Sequence, residues 1–310
     1  INVETFGLNY ADVMARTGLY NDAPEVPFVP GYEVVGKVAE TGSQVSHVKP
    51  GDRVVAFTRF GGYAREAIAA QTAVVKLPES ISNEQGTALA TQYCTAYYCA
   101  ILMANIHEGE EVLVHAAAGG VGTAIVQLAK WRKCKVYGTA SKPQKLDYLK
   151  RIGCDVPINY KKEDFVKVIH RLKGKDRIDA IFNPIGGKVF KKDIQILSWG
   201  GRHVLYGVST WSGKKGTLLD KLKLAWDFGF LHPLGLLMKS QSTIGVNMLR
   251  IADVRPETIG ICLRECVRLC EEGVLKPHVG GVFYSDEISK AHAFLEGRES
   301  MGKIAVNWRT

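Results

Sequence analysis

The sequence predicts an α/β protein in which β-rich segments at the two chain ends flank a doubly wound parallel sheet. Three observations support this fold class. Short apolar strands alternate with amphipathic helices from about residue 96 to residue 248. A glycine-rich turn joins the first of these strands to the helix that follows it. Glycine and proline separate short strands over residues 1–94, which is typical of a β-rich unit.

The central segment contains six predicted strands, at 112–115, 136–139, 157–160, 178–182, 203–206 and 243–246. The helices that connect them are predicted near 121–132, 144–151, 163–172, 189–197 and 218–226. Because parallel strands require crossover connections of this kind, the alternation favours a doubly wound sheet.

The flanking segments carry fewer predicted elements. Strands are predicted at 33–39 and 53–57, and the tail holds one clear helix at 256–272 and a strand at 303–306. We expect the tail to fold back onto the first segment. The predicted domains are a first part of one domain at 1–94, a nucleotide-binding domain at 95–248 and a return to the first domain at 249–310.

Composition and charge exclude several other classes of protein. Hydrophobic residues make up 46% and charged residues 23%, as in ordinary globular proteins. No apolar run approaches the roughly 18 residues that span a bilayer. The opening Ile-Asn-Val-Glu does not resemble a signal peptide, and because it reads as the inside of a strand without Met we expect a further N-terminal segment.

The net charge of +9 favours acidic ligands such as nucleotide phosphates. The positive charges are dispersed without a five-residue basic run, so nucleic acid is disfavoured as a partner. The 7 cysteines are scattered and lack Cys-x-x-Cys pairs, which argues against a disulfide framework or a four-cysteine zinc site. We therefore expect a reducing, cytoplasmic compartment.

The strongest local signal is the run Val-Leu-Val-His-Ala-Ala-Ala-Gly-Gly-Val-Gly at 112–122. In a dinucleotide fingerprint the first glycine makes the turn, the second admits the pyrophosphate and the third lets helix and strand pack closely. Alanine replaces the first glycine here, at Ala117, and Gly120 is an additional glycine. The predicted cofactor-binding residues of this loop are Ala118, Gly119, Gly120, Val121 and Gly122.

The second cofactor signal concerns the choice between NAD and NADP. The acidic residue that would bind the NAD ribose lies about 20 positions after the loop. The segment 139–145 contains no acid and instead holds Ser141, Lys142 and Lys145. A hydroxyl and two ammonium groups attract a 2′-phosphate, so the sequence predicts NADPH. Tyr160, which ends the third strand, would stack on the adenine.

Six short motifs follow one another along the whole chain. They are Gly-Leu-Asn-Tyr-Ala-Asp-Val-Met-Ala-Arg-Thr-Gly-Leu-Tyr at 7–20, Val-Pro-Gly-Tyr-Glu-Val-Val-Gly at 29–36, Gly-Asp-Arg-Val at 51–54, Thr-Ala-Tyr-Tyr at 95–98, the loop at 116–122 and Gly-Lys-Ile at 302–304. This set resembles the zinc-independent quinone oxidoreductase branch of the medium-chain dehydrogenase/reductases. Within that branch the chain is most similar to the VAT-1 group, notably at 18–20, 217–249 and 275–278.

The resemblance implies a GroES-like catalytic domain made of both chain ends, a central Rossmann domain and usually a homodimer, which we expect to join along 242–248. It implies NADPH-dependent reduction of quinones or other α,β-unsaturated carbonyls by hydride transfer. It places Asn9 near the nicotinamide and Thr95 near the phosphates or the nicotinamide ribose. The remaining residues that match the cofactor pocket are Ser141, Lys145, Tyr160, Tyr206 and Gly207.

Zinc-dependent relatives place a cysteine where Asn9 stands and a histidine where Tyr32 stands, so the resemblance implies that no metal is bound. Hydrogen-bond donors or solvent must then polarise the acceptor, and positioning alone contributes about 7–11 kcal/mol. The final proton comes from Tyr20, Tyr32 or water. The candidate catalytic residues are Asn9, Tyr20 and Tyr32.

Two other functions stay open. The same fold and cofactor serve enoyl-thioester reduction, and a non-catalytic NADPH-binding protein would act through membrane or partner contacts. The net charge and the apolar stretch at 228–238 favour the last of these, although that stretch is also typical of a pocket wall or dimer contact. Cys262, Cys266 and Cys270 share a predicted helix face and are interpreted as packing residues. His115 is interpreted as structural. Asp12 would orient either Asn9 or a backbone turn, and both a purely structural and a catalytic role stay open for it.

Overall fold

The computed structural model describes residues 1–174, 177–211 and 217–309. Its strands are β1 Asn2–Leu8, β2 Glu33–Lys37, β3 Arg53–Phe57, β4 Val74–Lys76, β5 Glu111–Val114, β6 Lys135–Ala140, β7 Val156–Asn159, β8 Ile178–Asn183, β9 Leu197–Leu205, β10 Ser242–Gly245, β11 Val279–Tyr284 and β12 Lys303–Asn307. Its α-helices are α1 Tyr10–Arg16, α2 Asn83–Ala88, α3 Cys94–Tyr97, α4 Gly120–Trp131, α5 Pro143–Arg151, α6 Phe165–Lys173, α7 Lys188–Ile196, α8 Leu218–Phe228, α9 Pro233–Lys239, α10 Met248–Val254, α11 Pro256–Glu271 and α12 Ile288–Glu296.

The chain divides into two compact units. The first unit comprises Ile1–Thr95, Gly119–Ala124 and Met248–Thr310. The second unit comprises Ala96–Ala118 and Ile125–Asn247. None of the helices in the described residues is long and apolar enough to cross a membrane.

The first unit is built on a mixed sheet of strand order β11-β12-β1-β2-β3-β4. Only β11 and β12 pair in parallel, and the other neighbours are antiparallel. The tail strand β12 lies against β1, with Thr5 opposite Asn307 and Leu8 opposite Ile304. Both chain ends therefore form one sheet. Its core contains Phe6, Leu8, Val34, Val54 and Ile304.

The second unit contains a parallel sheet of strand order β10-β9-β8-β5-β6-β7, which confirms the predicted doubly wound sheet. The chain runs outward from β5 to β7 on one side and from β8 to β10 on the other. The strand order therefore reverses between β5 and β8, and ligands of such sheets bind at the carboxyl ends of the strands around that point. Strand β10 is one of the two edge strands of this sheet, and the predicted homodimer would form there; the dimer stays a prediction.

One helical segment differs from the sequence-based expectation of an irregular, β-rich region up to residue 94. Helices α2 and α3 join through π-helical turns at Leu89–Tyr93 and Tyr98–Met103 into one helical run. Most of its side chains are buried, so it lacks the polar stripe by which an amphipathic helix is recognised. The start of this helical run has a signal in the sequence, because Ser82 and Gln85 form a capping box.

The tail is also more structured than the single predicted helix. Strand β11 and the short helices α10 and α12 accompany α11. Elements of seven and nine residues hold too few turns to give a clear hydrophobic period. On α11, Cys262 and Cys266 are fully buried, which confirms their interpretation as packing residues, while Cys270 is half-buried. Burial raises the pKa of the Cys262 thiol to about 12, so this thiol is unreactive.

Candidate active site

The glycine-rich loop lies between the end of β5 at Val114 and the start of α4 at Gly120. Ala116 adopts φ +49°, a left-handed conformation that costs energy for any residue except glycine. Its N–H donates to Thr139 Oγ1 at 3.3 Å, and the N–H of Ala117 donates to the Thr139 carbonyl at 3.1 Å. The first N–H groups of α4 have no partner within the helix, so the loop ends at a site suited to an anionic phosphate.

Gln92 is a residue of this region that the sequence analysis missed. A Cβ atom on Gly120 would lie 1.9 Å from Gln92 Oε1, so only glycine fits here unless the glutamine moves. Gln92 Oε1 is buried and has no hydrogen-bond partner among the described residues. A buried acceptor without a donor among the described residues can accept an N–H or hydroxyl of a ligand or a water. The available signal was its position one helical turn before Thr95, which becomes visible only once the helix is known.

The predicted 2′-phosphate residues lie together at the ends of β6 and β7. Ser141 directly follows β6, and Lys145 lies in the first turn of α5, where its N–H donates to the Lys142 carbonyl at 3.0 Å. The N–H of Tyr160 donates to the Ala140 carbonyl at 3.2 Å, and 43% of this residue is exposed. Ser141, Lys145 and the partly exposed Tyr160 therefore follow the ends of two neighbouring strands at one edge of the sheet.

Tyr206 and Gly207 follow β9 at the same carboxyl edge of the parallel sheet. The Tyr206 N–H donates to the Asn183 carbonyl at 3.1 Å, which fixes the end of β9 beside β8. A Cβ atom on Gly207 would lie 3.0 Å from the Pro184 carbonyl oxygen, so the two chain segments approach closely. The candidate cofactor residues of the second unit thus share one edge, as a dinucleotide requires.

Asn9 lies in the first unit and begins α1. Its backbone N–H donates to Asp12 Oδ2 at 2.7 Å. Its side-chain Nδ2 donates to Glu33 at 2.9 Å and 2.8 Å from the two carboxylate oxygens, and its Oδ1 accepts from Lys303 Nζ at 3.1 Å. Two oxygens of one carboxylate subtend a narrow angle at the nitrogen, so they share one N–H bond. The second N–H bond of the amide points away from Glu33.

Glu33 and Lys303 form an ion pair whose two side chains are fully buried. The Glu33 carboxylate also accepts from the Thr91 hydroxyl, and Lys303 Nζ donates to the Leu8 carbonyl at 3.2 Å. A Cβ atom on Gly7 would lie 2.1 Å from Glu33 Oε1, so the strand beside the pair requires glycine. This pair holds Asn9 from both ends of its amide.

Thr95 lies one helical turn after Thr91, to whose carbonyl its hydroxyl donates at 2.7 Å. The hydroxyl oxygen of Thr95 still has lone pairs that can accept a hydrogen bond from a ligand. In the same unit Gly119 pairs with Gly302, the residue before Lys303. The first unit thus joins Asn9 and Thr95 through Glu33 and Thr91 in one hydrogen-bonded neighbourhood, and the same unit contains the loop from Gly119 onward.

Asp12 orients the backbone rather than a ligand. Its two oxygens accept the N–H groups of Asn9 at 2.7 Å and Gly31 at 3.0 Å. Burial, together with the nearby charge of Glu33, raises the pKa of Asp12 to about 7. Both alternatives weighed for this residue, orienting Asn9 and holding a backbone turn, describe what it does.

The hydroxyl of Tyr32 is a buried polar group that no described residue satisfies. Its side chain is 3% exposed, and its hydroxyl has no hydrogen-bond partner among the described residues. Burial raises the pKa of Tyr32 well above its usual range, so the phenol stays protonated at neutral pH. A buried, protonated and unpartnered hydroxyl can donate a hydrogen bond to a ligand oxygen.

Aromatic rings surround this hydroxyl-bearing ring. The Tyr20 ring lies edge-on to Tyr32 at 6.4 Å, Phe60 lies 5.1 Å from Tyr32, and Phe28 lies 5.6 Å from Phe60. Burial raises the pKa of Tyr20 to about 12. These four residues, here called the aromatic cluster, offer the surroundings that a flat conjugated ligand prefers.

The resemblance described above implies that Asn9 and Tyr32 stand at the two positions where zinc-dependent proteins of this type carry metal ligands. Zinc prefers thiolate, imidazole and carboxylate ligands, and an amide and a protonated phenol supply none of these. Within residues 1–174, 177–211 and 217–309, no three His, Cys, Asp or Glu side chains form a group that could hold a metal. The absence of a metal stays a prediction.

Comparison with known proteins gives matches along nearly the whole chain. Residues 1–79 match the alcohol dehydrogenase GroES-like domain, and residues 120–261 match the zinc-binding dehydrogenase family. The chain is 33% identical over 308 residues to the human synaptic vesicle membrane protein VAT-1 homolog, and the match covers 99% of this chain and 78% of that protein.

Two solved structures share the fold closely. Escherichia coli quinone oxidoreductase complexed with NADPH has a TM-score of 0.83 and 29% sequence identity, over 99% of this chain and 90% of that chain. CurK enoyl reductase has a TM-score of 0.82 and 26% identity, over 100% of this chain and 90% of that chain.

Proposed function

Because the chain belongs to the medium-chain dehydrogenase/reductase superfamily, we propose that it is a zinc-independent oxidoreductase that reduces quinones or other α,β-unsaturated carbonyls with NADPH. The observation that carries the proposal is the buried, unpartnered hydroxyl of Tyr32 within the aromatic cluster. It suits an acceptor that joins a flat conjugated system to a carbonyl oxygen.

The residues of the loop and of the β6 and β7 ends fit NADPH. The N-terminus of α4 would hold the pyrophosphate, and Ser141 and Lys145 would hold the 2′-phosphate. The buried Gln92 oxygen beside Gly120 would accept a ligand N–H or hydroxyl. When bound, NADPH supplies a hydride from nicotinamide C4.

The chain itself contributes orientation and hydrogen bonding. Tyr32 donates to the acceptor carbonyl and so withdraws charge from it as the hydride arrives at the conjugated carbon. The oxygen gains charge in that step and takes a proton afterwards. Asn9 presents its second N–H bond, held in place by Glu33 and Lys303. The same groups would bind the carbonyl of an enoyl thioester, which the likeness to CurK enoyl reductase supports as an alternative substrate.

Cofactor choice tests this proposal directly. We expect wild-type protein to bind NADPH more tightly than NADH, because no acidic residue lies in 139–146 to repel a 2′-phosphate. Lys145→Ala should weaken the binding of NADPH by about 1.5–3 kcal/mol, the range of a hydrogen bond to a charged group, and should leave the binding of NADH unchanged. Fluorescence titration of both cofactors measures this.

The matched control is Lys150→Ala, a lysine of the same helix beyond the first turn, which should leave both affinities unchanged. Equal affinity of the wild-type protein for NADPH and NADH would contradict the NADPH assignment.

A second candidate function is supported by an exposed apolar face on α8 and α9. On α8, Leu219, Leu222 and Trp226 lie on one helix face and point to solvent, while Phe228 is half-buried. No residue of α9 is buried. The exposed apolar face consists of Leu219, Leu222, Trp226, Phe230, Leu234, Leu237 and Met238. Apolar side chains concentrated in this way mark an interaction surface.

We propose that an anionic lipid surface covers the exposed apolar face. The lysines Lys221, Lys223 and Lys239 lie on the same two helices, and apolar residues flanked by lysines are typical of helices that lie in the membrane interface. The human relative is named as a synaptic vesicle membrane protein, which supports this occupant. Such contact would accompany reductase activity or replace it.

Vesicle sedimentation tests this surface. We expect binding to vesicles that contain phosphatidylserine and weaker binding to phosphatidylcholine alone, because the lysines add electrostatic attraction. The double variant Trp226→Ser with Leu237→Ser should lose most of this binding. Leu172→Ser removes a leucine of similar exposure on α6 and serves as the control. Unchanged binding of the double variant would reject the assignment.

A further inference from the structure

A buried polar network in the second unit has Asp193 of α7 at its centre. Asp193 Oδ1 lies 2.8 Å from His115 Nε2, and its Oδ2 lies 2.9 Å from His203 Nε2. Asn183 Nδ2 donates to the same Oδ2 at 2.6 Å. All four residues are buried. Burial opposes the charge, but His115 and His203 hold the pKa of Asp193 below its usual value, so the carboxylate is ionised and each facing nitrogen donates its hydrogen.

One arm of this network reaches the glycine-rich loop. With its Nε2 directed to Asp193, His115 has its Nδ1 3.2 Å from Thr139 Oγ1. The Thr139 oxygen then accepts the N–H of Ala116 at 3.3 Å. Ala116 is the left-handed residue that starts the turn, so the arm ends on the residue whose conformation most needs support.

The other arm reaches the turn after β8. Because Asn183 gives its N–H bond to Asp193, its Oδ1 faces the opposite way. That oxygen accepts the backbone N–H groups of Ile185 at 2.6 Å and Gly186 at 2.9 Å. Gly186 has φ +73°, so this turn also depends on an unusual backbone conformation.

We propose that Asp193 is a positioning residue that couples the loops after β5 and β8 and prepares both for a dinucleotide. These strands are the neighbours at which the strand order reverses, where such ligands bind. Asp193 itself touches no ligand in this arrangement and acts through Thr139 and Asn183. The proposal rests on the proposed cofactor function.

The contrast with the opposite end of the same strands supports a role beyond core stability. Tyr137 of β6 donates its hydroxyl to Glu111 Oε2 at 2.6 Å, at the amino end of β5 and away from the loops. A general need to satisfy polar groups explains that bond. The Asp193 network instead terminates at both of its arms on backbone N–H groups of the two ligand-side turns.

Two hydroxyl deletions on β6 test the proposal. Thr139→Val keeps the side-chain shape and removes the contacts to His115 and Ala116, whereas Tyr137→Phe removes a hydroxyl from the other end. We expect Thr139→Val to lower the affinity for NADPH about tenfold, the equivalent of one hydrogen bond. The affinity for adenosine 2′-monophosphate should change by no more than about twofold, because that probe lacks the pyrophosphate. Tyr137→Phe should leave both affinities unchanged.

Equal effects of the two substitutions, or a matching loss of adenosine 2′-monophosphate, would overturn the positioning role. Hydrogen exchange of the ligand-free protein gives a readout that does not depend on cofactor binding. Asp193→Asn should speed exchange of the Ala116, Ile185 and Gly186 amides at least about tenfold and spare the Val136 amide, which bonds to Asp155. Unchanged exchange at those three amides would overturn the coupling, even if the wild-type protein binds no dinucleotide. Should Asp193→Asn fail to fold, Thr139→Val measured by exchange at Ile185 and Gly186, the amides of the other arm, tests the coupling: faster exchange there supports it and unchanged exchange overturns it.

Discussion

Lys303→Met should lower the free energy of unfolding by about 3–5 kcal/mol, the loss typical of removing one partner from a buried ion pair. The substitution leaves the buried Glu33 carboxylate without its cationic partner, and Asn9 and Thr91 remain as its side-chain donors among the described residues. Urea unfolding followed by circular dichroism measures the loss. A decrease of less than about 1 kcal/mol would place this pair with ordinary surface ion pairs and contradict its buried geometry.

Two further variants separate the missing partner from the missing side chain. Lys76→Met removes the lysine of a surface pair with Asp52, at 2.8 Å, and should cost much less stability than Lys303→Met. Glu33→Gln combined with Lys303→Met removes both charges of the pair, so it should recover part of the loss of the single variant. A double variant as unstable as Lys303→Met would show that packing, not charge, is responsible.

The parallel sheet could be predicted from sequence because each strand is a short apolar run between turn residues. The predicted strands at 112–115 and 178–182 differ from β5 and β8 by single residues at their ends. The helical run from α2 onward was missed because its apolar residues cover every face, which removes the period on which such predictions depend. Local pattern therefore identifies elements with one polar face and fails for elements buried all round.

Some residues of the candidate site could likewise be predicted from local sequence pattern, and others could not. Ser141, Lys145 and the glycine loop follow strands directly, so their common edge could be predicted once the sheet was. The role of Lys303 could not, although Gly-Lys-Ile was recognised as a motif, because its contact with Glu33 joins residues 270 positions apart. That contact arises only when β12 and β2 both pair with β1. Asp193 was missed for a similar reason, because its contact with His115 joins residues 78 positions apart. Gln92 was missed because the helical run that contains it was not predicted.

Tyr32→Phe should reduce kcat/KM for quinones or enones by about 10²–10³-fold, the effect of removing a donor aimed at developing oxygen charge. NADPH affinity should stay unchanged, because the hydroxyl is assigned to the acceptor. The unfolding free energy should not fall, since this hydroxyl has no partner to lose among the described residues. Steady-state kinetics with a panel of quinones, enones and enoyl thioesters provides the measurement.

The neighbouring residues set the scale of this prediction. Asn9→Ala should cost a smaller 1–3 kcal/mol of transition-state stabilisation, about one hydrogen bond, and Tyr20→Phe should cost less than Tyr32→Phe because its phenol is less buried. Since burial raises the pKa of Tyr32 above its usual value of about 10, the donor keeps its hydrogen through neutral pH, and kcat/KM should show no alkaline loss from this group below about pH 10.

Unchanged kinetics of Tyr32→Phe would remove the hydroxyl from the reaction and leave water or Tyr20 as the proton source. Tight NADPH binding without turnover of any acceptor in the panel would instead favour the binding protein that acts through its exposed apolar face.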